Sequence, residues 1–245
     1  MKPKIKFQFD ANQDYQLQAI NSTVDLFEGM GNFRPEFSLG DEIKPNLPET
    51  EILFDSEIRM NLENIQERNG VPIAQQLDIE SGMVMEGAGI ESHEFPSFTV
   101  EMETGTGKTY VYLRTIYELF GCYGFTKFII VVPSVAIYEG VRKTEEITRS
   151  HFASLYENNT LNLIPYDGNR VNRVRSFATA NTPQVLLMTI DAFNKVSNNF
   201  YKQTDALQGS NLRPFEFVQK TRRLSFLTSR KALTTRKKQK RRFAL

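Results

Sequence analysis

Between a short aromatic and β-branched run and a stretch of helical spacing lies Thr104-Gly105-Thr106-Gly107-Lys108-Thr109, and this juxtaposition constrains the chain more than any other feature. Phe98-Thr99-Val100-Glu101-Met102 reads as a strand. Residues 108–120, with Val111, Ile116, Leu119 and Phe120 available to pack, read as a helix. Strand, glycine turn and helix in that order are the context a phosphate-binding loop requires. Gly105, Thr106 and Gly107 would form the cradle, because glycines let backbone N–H groups turn inward around phosphate oxygens. The helix that starts there adds its positive dipole end. Lys108 would reach the β- and γ-phosphates of ATP, and Thr109 would place a hydroxyl on Mg²⁺. The full pattern G-x-x-x-x-G-K-[ST] asks for a glycine at 102, where this chain has Met102.

The flanking sequence alternates in period. Residues 13–28 carry Leu17, Ile20, Val24 and Phe27 three or four positions apart, which predicts an amphipathic helix. Residues 31–50 read as a loop, and residues 56–69 as a helix with Met60, Leu62 and Ile65 on its apolar side. Residues 70–96 read as irregular. Past the loop, Phe128 to Val132 is a continuous apolar run, as expected of a strand buried on both faces. A helix from about Val135 to Thr148 and strands at 161–165 and 185–189 follow. Strands alternating with helices predict an α/β domain with a mostly parallel sheet, preceded by a helical N-terminal segment.

Composition narrows the class. A chain of 245 residues can bury a sizeable core. One cysteine, Cys122, excludes a disulfide framework and fits a reducing compartment. With no apolar run long enough to span a bilayer and no signal-peptide pattern, the expectation is a cytoplasmic protein without a membrane partner. The net charge of +1 hides an asymmetry. Residues 222–245 hold 10 Lys/Arg and no Asp/Glu, which leaves 20 Lys/Arg against 29 Asp/Glu, a net of −9, in residues 1–221. Such a tail suggests nucleic-acid contact or disorder.

Residues 100–114 (VEMETGTGKTYVYLR) resemble motif I of the Res subunits of type III restriction-modification enzymes, and residues 125–141 (FTKFIIVVPSVAIYEGV) resemble their motif Ia. The shorter core G-x-G-K-T after Glu103-Thr104 is the form found in superfamily 2 helicases and translocases. The resemblance, over roughly residues 5–222, implies a RecA-like P-loop NTPase lobe that uses ATP and Mg²⁺ on double-stranded DNA. It further implies a Mod methyltransferase partner that recognises the site, and a separate nuclease domain. By the same resemblance Pro133 and Ser134 touch the DNA backbone, and Thr189, in Thr189-Ile190-Asp191-Ala192-Phe193-Asn194-Lys195, faces the DNA strand as well. Tyr15-Gln16-Leu17-Gln18-Ala19-Ile20 resembles the glutamine motif of superfamily 2, in which a Gln reads the adenine edge. Gln16 is the candidate, since a side-chain amide can pair with both the N6 donor and the N7 acceptor of adenine.

The resemblance stops near residue 222. An apolar strand ending in an acidic pair is expected next, because that pair holds Mg²⁺ and helps position the attacking water. The chain instead reads Arg223-Leu224-Ser225-Phe226-Leu227-Thr228-Ser229-Arg230, and no acid follows. Leu224 to Arg230 can be encoded CTA TCC TTC TTG ACG AGC CGC. Read from one nucleotide earlier, on an Arg223 codon ending in C, those bases give Pro-Ile-Leu-Leu-Asp-Glu-Pro. The expectation is therefore a shifted frame from residue 223. The chain divides into an N-terminal helical and irregular segment (1–96), an incomplete first motor lobe (97–222) and a disordered basic tail (223–245). Weak ATP binding and negligible ATPase follow. A non-enzymatic remnant that binds ATP, DNA or Mod is the alternative, with a small P-loop kinase behind it.

Overall fold

The computed structural model of the protein describes residues 8–32, 42–46, 55–86, 89–157, 159–194, 199–202, 212–221 and 224–227. Its centre is a four-stranded sheet in the order β4-β5-β3-β6, with β3 spanning Lys127–Val132, β4 Asn162–Pro165, β5 Gln184–Thr189 and β6 Leu224–Leu227. Every pairing is parallel: Val132 lies opposite Thr189, Pro165 opposite Leu187, and Val131 opposite Leu227. All six β3 residues are buried, which is why the strand reads as an unbroken apolar run and not as an alternation.

Strand pleating divides that run between two cores. Phe128, Ile130 and Val132 of β3, with Val185 and Leu187 of β5, pack on one face against α1 (Asp14–Val24), α3 (Lys108–Tyr123) and α4 (Val135–Leu155). Ile129, Val131, Leu186 and Met188 face the other way, against α5 (Asn172–Thr179) and α7 (Pro214–Lys220), which contribute Val174, Phe177, Phe215 and Val218. Helices on both faces of a parallel sheet give the α/β architecture that the alternation of periods predicts. The lower end of the sheet is pinned by Asn46, which is buried and satisfies three backbone groups. Its Oδ1 accepts from the N–H groups of Thr126 and Lys127 at 2.9 and 2.7 Å, and its Nδ2 donates to the Lys127 carbonyl at 2.7 Å.

Several local expectations need correction. Phe98 to Met102 is not a strand, because it joins no ladder among the described residues, and β composition without a hydrogen-bonded neighbour does not make one. Residues 70–96 are not irregular throughout: β1 (Ile79–Glu86) and β2 (Gly89–Pro96) form an antiparallel hairpin with Ile79 opposite Pro96. Its Gly, Ser and Glu content hides strands that only cross-strand pairing reveals. Helix α2 (Asp55–Arg68) forms as expected, but Met60 is exposed. Asn61 is buried instead, donating to the carbonyls of Leu26 and Glu28 at 3.1 and 2.9 Å. Helix α4 runs to Leu155, seven residues past the predicted end at Thr148. Helix α6 (Ile190–Asn194) and helix α7, with Pro214 at its first turn and Glu216 accepting from the Arg213 backbone N–H, are additional. Most of the basic tail lies outside the described residues, while Leu224–Leu227 does form a strand.

Candidate functional site

The glycine loop and the start of α3 form one unit. Gly105 and Gly107 adopt φ of +87° and +85°, the left-handed region in which a glycine costs least. Gly107 is the N-cap of α3 and has no side-chain cap, so the first-turn N–H groups are left for another acceptor. The Glu103 carbonyl gathers the loop's own donors: the Thr106 hydroxyl at 2.7 Å and the Lys108 ammonium at 2.5 Å. Lys108 is exposed and Thr109 half-buried. A loop that brings a cation and a hydroxyl onto one oxygen, beside a helix start with no side-chain cap, has the donor set an oxyanion needs. The role of Glu103 is a backbone role, and no residue pattern announces it.

Gln16 reaches this loop from α1. Its Nε2 donates to the Thr106 carbonyl at 3.0 Å across ninety residues of sequence, and the side chain is buried. The sequence therefore singled out a residue that stands against the phosphate-loop candidate, although it sits on the buried face of α1 with Ala19, Ile20 and Val24. On the opposite flank of α3, the Tyr112 ring packs against Phe226 of β6 with centroids 6.4 Å apart. The Tyr112 hydroxyl is buried with no partner at hydrogen-bond geometry among the described residues. Burial pushes it up to about 12, with Thr109 pulling weakly the other way.

Pro133, Ser134 and Thr189 come together at the carboxyl edge of the sheet. Val132 and Thr189 are directly paired, so Pro133 and Ser134 leave β3 beside the end of β5. Ser134 caps α4, its Oγ accepting from the Ile137 N–H at 3.4 Å, and Val135 and Ile137 are exposed beside it. For a divalent metal, Thr109 offers a hydroxyl, but among the described residues no group of three His, Cys, Asp or Glu side chains gathers to hold one. The donor set therefore suits a polyphosphate well and supplies little of a metal's own shell. Among the described residues no helix is long and apolar enough to cross a membrane.

A parallel sheet between two helical layers, with a glycine-hinged loop feeding a helix, is the architecture of a RecA-like P-loop domain. The particular branch is also clear. The model of the family described as type III restriction enzyme, res subunit, matches residues 11–210, and the chain belongs to that family. It is 38% identical over 140 residues to the type III restriction-modification enzyme StyLTI Res subunit of Salmonella typhimurium, covering 50% of this chain and 14% of that protein. It is 28% identical over 155 residues to the EcoPI Res subunit of Escherichia phage P1, covering 62% and 14%, and 31% identical over 109 residues to the EcoP15I Res subunit of Escherichia coli, covering 43% and 10%. The chain thus aligns with between a tenth and a seventh of the length of these relatives.

Proposed function

We propose that this chain is the nucleotide-binding, DNA-facing front of a type III restriction motor, and that it holds ATP without turning it over. The observation that carries the reading is the loop itself: two glycines at positive φ, an uncapped helix start, and Lys108 drawn onto the same oxygen as the Thr106 hydroxyl. In this reading the Gly105–Gly107 backbone wraps the phosphates, Lys108 neutralises the β- and γ-oxygens, and Thr109 offers one ligand to Mg²⁺. Mg²⁺ held there with ATP would supply charge neutralisation to the phosphates. In this reading Gln16 meets the adenine edge of the nucleotide. Pro133, Ser134 and Thr189 meet duplex DNA at the carboxyl edge of the sheet, and Mod is the protein partner. A cytoplasmic setting belongs to the same reading.

In this reading turnover is withheld because the acidic pair is missing from the stretch where the resemblance expects it: residues 217–245 hold no Asp or Glu. Electrostatic stabilisation of the γ-phosphate is the main work of phosphoryl transfer, so a site without the acidic pair binds and does not hydrolyse. In this reading residues from 223 onward are a shifted frame of the acid-bearing strand, and that is the origin of the basic tail. A calorimetric titration with Mg-ATP tests binding, and a steady-state ATPase assay with duplex DNA tests turnover. Binding lost in Lys108→Ala, with no ATPase in either protein, is the expected result. DNA-stimulated ATPase that Lys108→Ala abolishes would overturn the claim of binding without turnover.

A further inference from the structure

The geometry points to Gln16 as a positioning residue for the phosphate loop, acting on the Thr106–Gly107 peptide whatever base the nucleotide carries. The inference rests on the nucleotide reading above and goes beyond the adenine-reading role that the sequence suggests. Gln16 Nε2 donates to the Thr106 carbonyl at 3.0 Å. A peptide unit is planar and trans, so its C=O and N–H point in opposite directions. Holding the Thr106 carbonyl toward α1 therefore directs the Gly107 N–H away from α1. That N–H is one of the donors a phosphate cradle would use. The fit is close: a Cβ built on Gly107 would stand 2.8 Å from Gln16 Nε2. Gly107 has φ of +85°, a conformation in which glycine can also let the peptide rotate. A buried amide locking that peptide removes the freedom that two flanking glycines introduce.

A base-reading glutamine and a loop-positioning glutamine differ in which ligands they affect. Binding of Mg-ATP, Mg-GTP and Mg-tripolyphosphate to the full chain is measured by calorimetry for wild type, Gln16→Glu and Gln16→Met. Gln16→Glu keeps the shape and removes the donor, and Gln16→Met keeps the length without polarity. Loss of one such hydrogen bond weakens all three ligands by a common factor, on the order of 3- to 10-fold, with the melting transition retained. Hydrogen exchange at the Gly107 amide rises in the same variants, a readout that follows the loop even if one variant is less stable. Tripolyphosphate affinity left at the wild-type value while ATP falls toward GTP overturns the positioning role and leaves the nucleotide reading standing. A wild-type chain that binds neither ATP nor tripolyphosphate overturns both.

Discussion

Gln16 Nε2 occupies the space beside Gly107 into which any larger residue would project, since a Cβ there would come within 2.8 Å of it. Gly105, two positions earlier, has nearly the same φ but open space around its Cβ position. The two glycines therefore separate strain from contact. Gly105→Ala carries the left-handed penalty alone, about 1–2 kcal/mol. Gly107→Ala carries that penalty and also displaces Gln16 from the Thr106 carbonyl. The expected result is a larger loss of stability and of ATP affinity for Gly107→Ala than for Gly105→Ala. Denaturant melts and ATP titrations of the two variants check it, and equal losses would mean that Gln16 moves aside freely.

Lys108→Ala is expected to remove nucleotide binding with little effect on folding. Among the described residues its ammonium makes one exposed hydrogen bond, to the Glu103 carbonyl, and exposed polar contacts of this kind contribute under about 1 kcal/mol. A melting midpoint close to wild type alongside a loss of heat on ATP addition is the predicted pair of results.

The lower end of the sheet carries the pH dependence. Lys127 is fully buried at the start of β3, where desolvation first and the nearby Lys44 second lower it to about 7. Its ammonium donates to the Thr126 hydroxyl at 3.1 Å and to the Ala180 carbonyl. Below about pH 7 the lysine is charged in both folded and unfolded chains, and the cost of burying the charge is fully felt. Between pH 7 and the unfolded value near 10.5 the unfolded chain holds the extra proton, so stability rises with pH, by at most about 1.4 kcal/mol per unit. Tyrosines raised by burial, Tyr112, Tyr123 and Tyr166 among them, reverse this trend above about pH 10. Urea melts from pH 6 to 9.5 should show the rise, and Lys127→Met should flatten it. An equal slope in the variant would assign the rise to another group.

Asn46 is the pin beside that lysine. Asn46→Ala leaves two buried N–H groups and one carbonyl short of their partner, at about 1–3 kcal/mol each before relaxation. Asn46→Asp keeps the acceptor and loses the donor, so it should be less damaging in a thermal melt. If both variants melt like wild type, water replaces the side chain and the pin is dispensable.

What the sequence made legible follows physical range. The strands β3 and β5 are apolar on both faces, so their own residues declare them. The helix α3 was readable because its start is marked by glycine chemistry and its body by spacing. Elements whose existence depends on a partner were not readable: the β1–β2 hairpin needs a cross-strand register, and Phe98–Met102 has strand composition but no neighbour in a ladder. Within the site, Gln16 was visible through a short motif, whereas its hold on Thr106 and the gathering role of the Glu103 carbonyl are backbone relationships that residue types do not encode. Asn46 and Lys127 escaped notice because a buried polar residue in a loop or at a strand end looks like a solvated one until its partners are known.

The register of β6 makes the shifted-frame reading testable at single bases. Leu227 lies opposite Val131, one residue before the end of β3. In the shifted text the Asp codon straddles Leu227 and Thr228, and the Glu codon straddles Thr228 and Ser229. The acids would therefore follow directly on the segment that pairs with β3. Both frames are mostly apolar here, Leu-Ser-Phe-Leu as written and Pro-Ile-Leu-Leu as shifted, so both have strand composition. The genetic code fixes the requirement: a Leu227 codon ending in G, a Thr228 codon ACG, and a Ser229 codon AGC or AGT. Sequencing codons 210 to 245 should find all three. A Ser229 codon of the TCN type would by itself rule out the Glu and leave the basic tail as a genuine feature. Its contribution would then be read from the salt dependence of DNA binding.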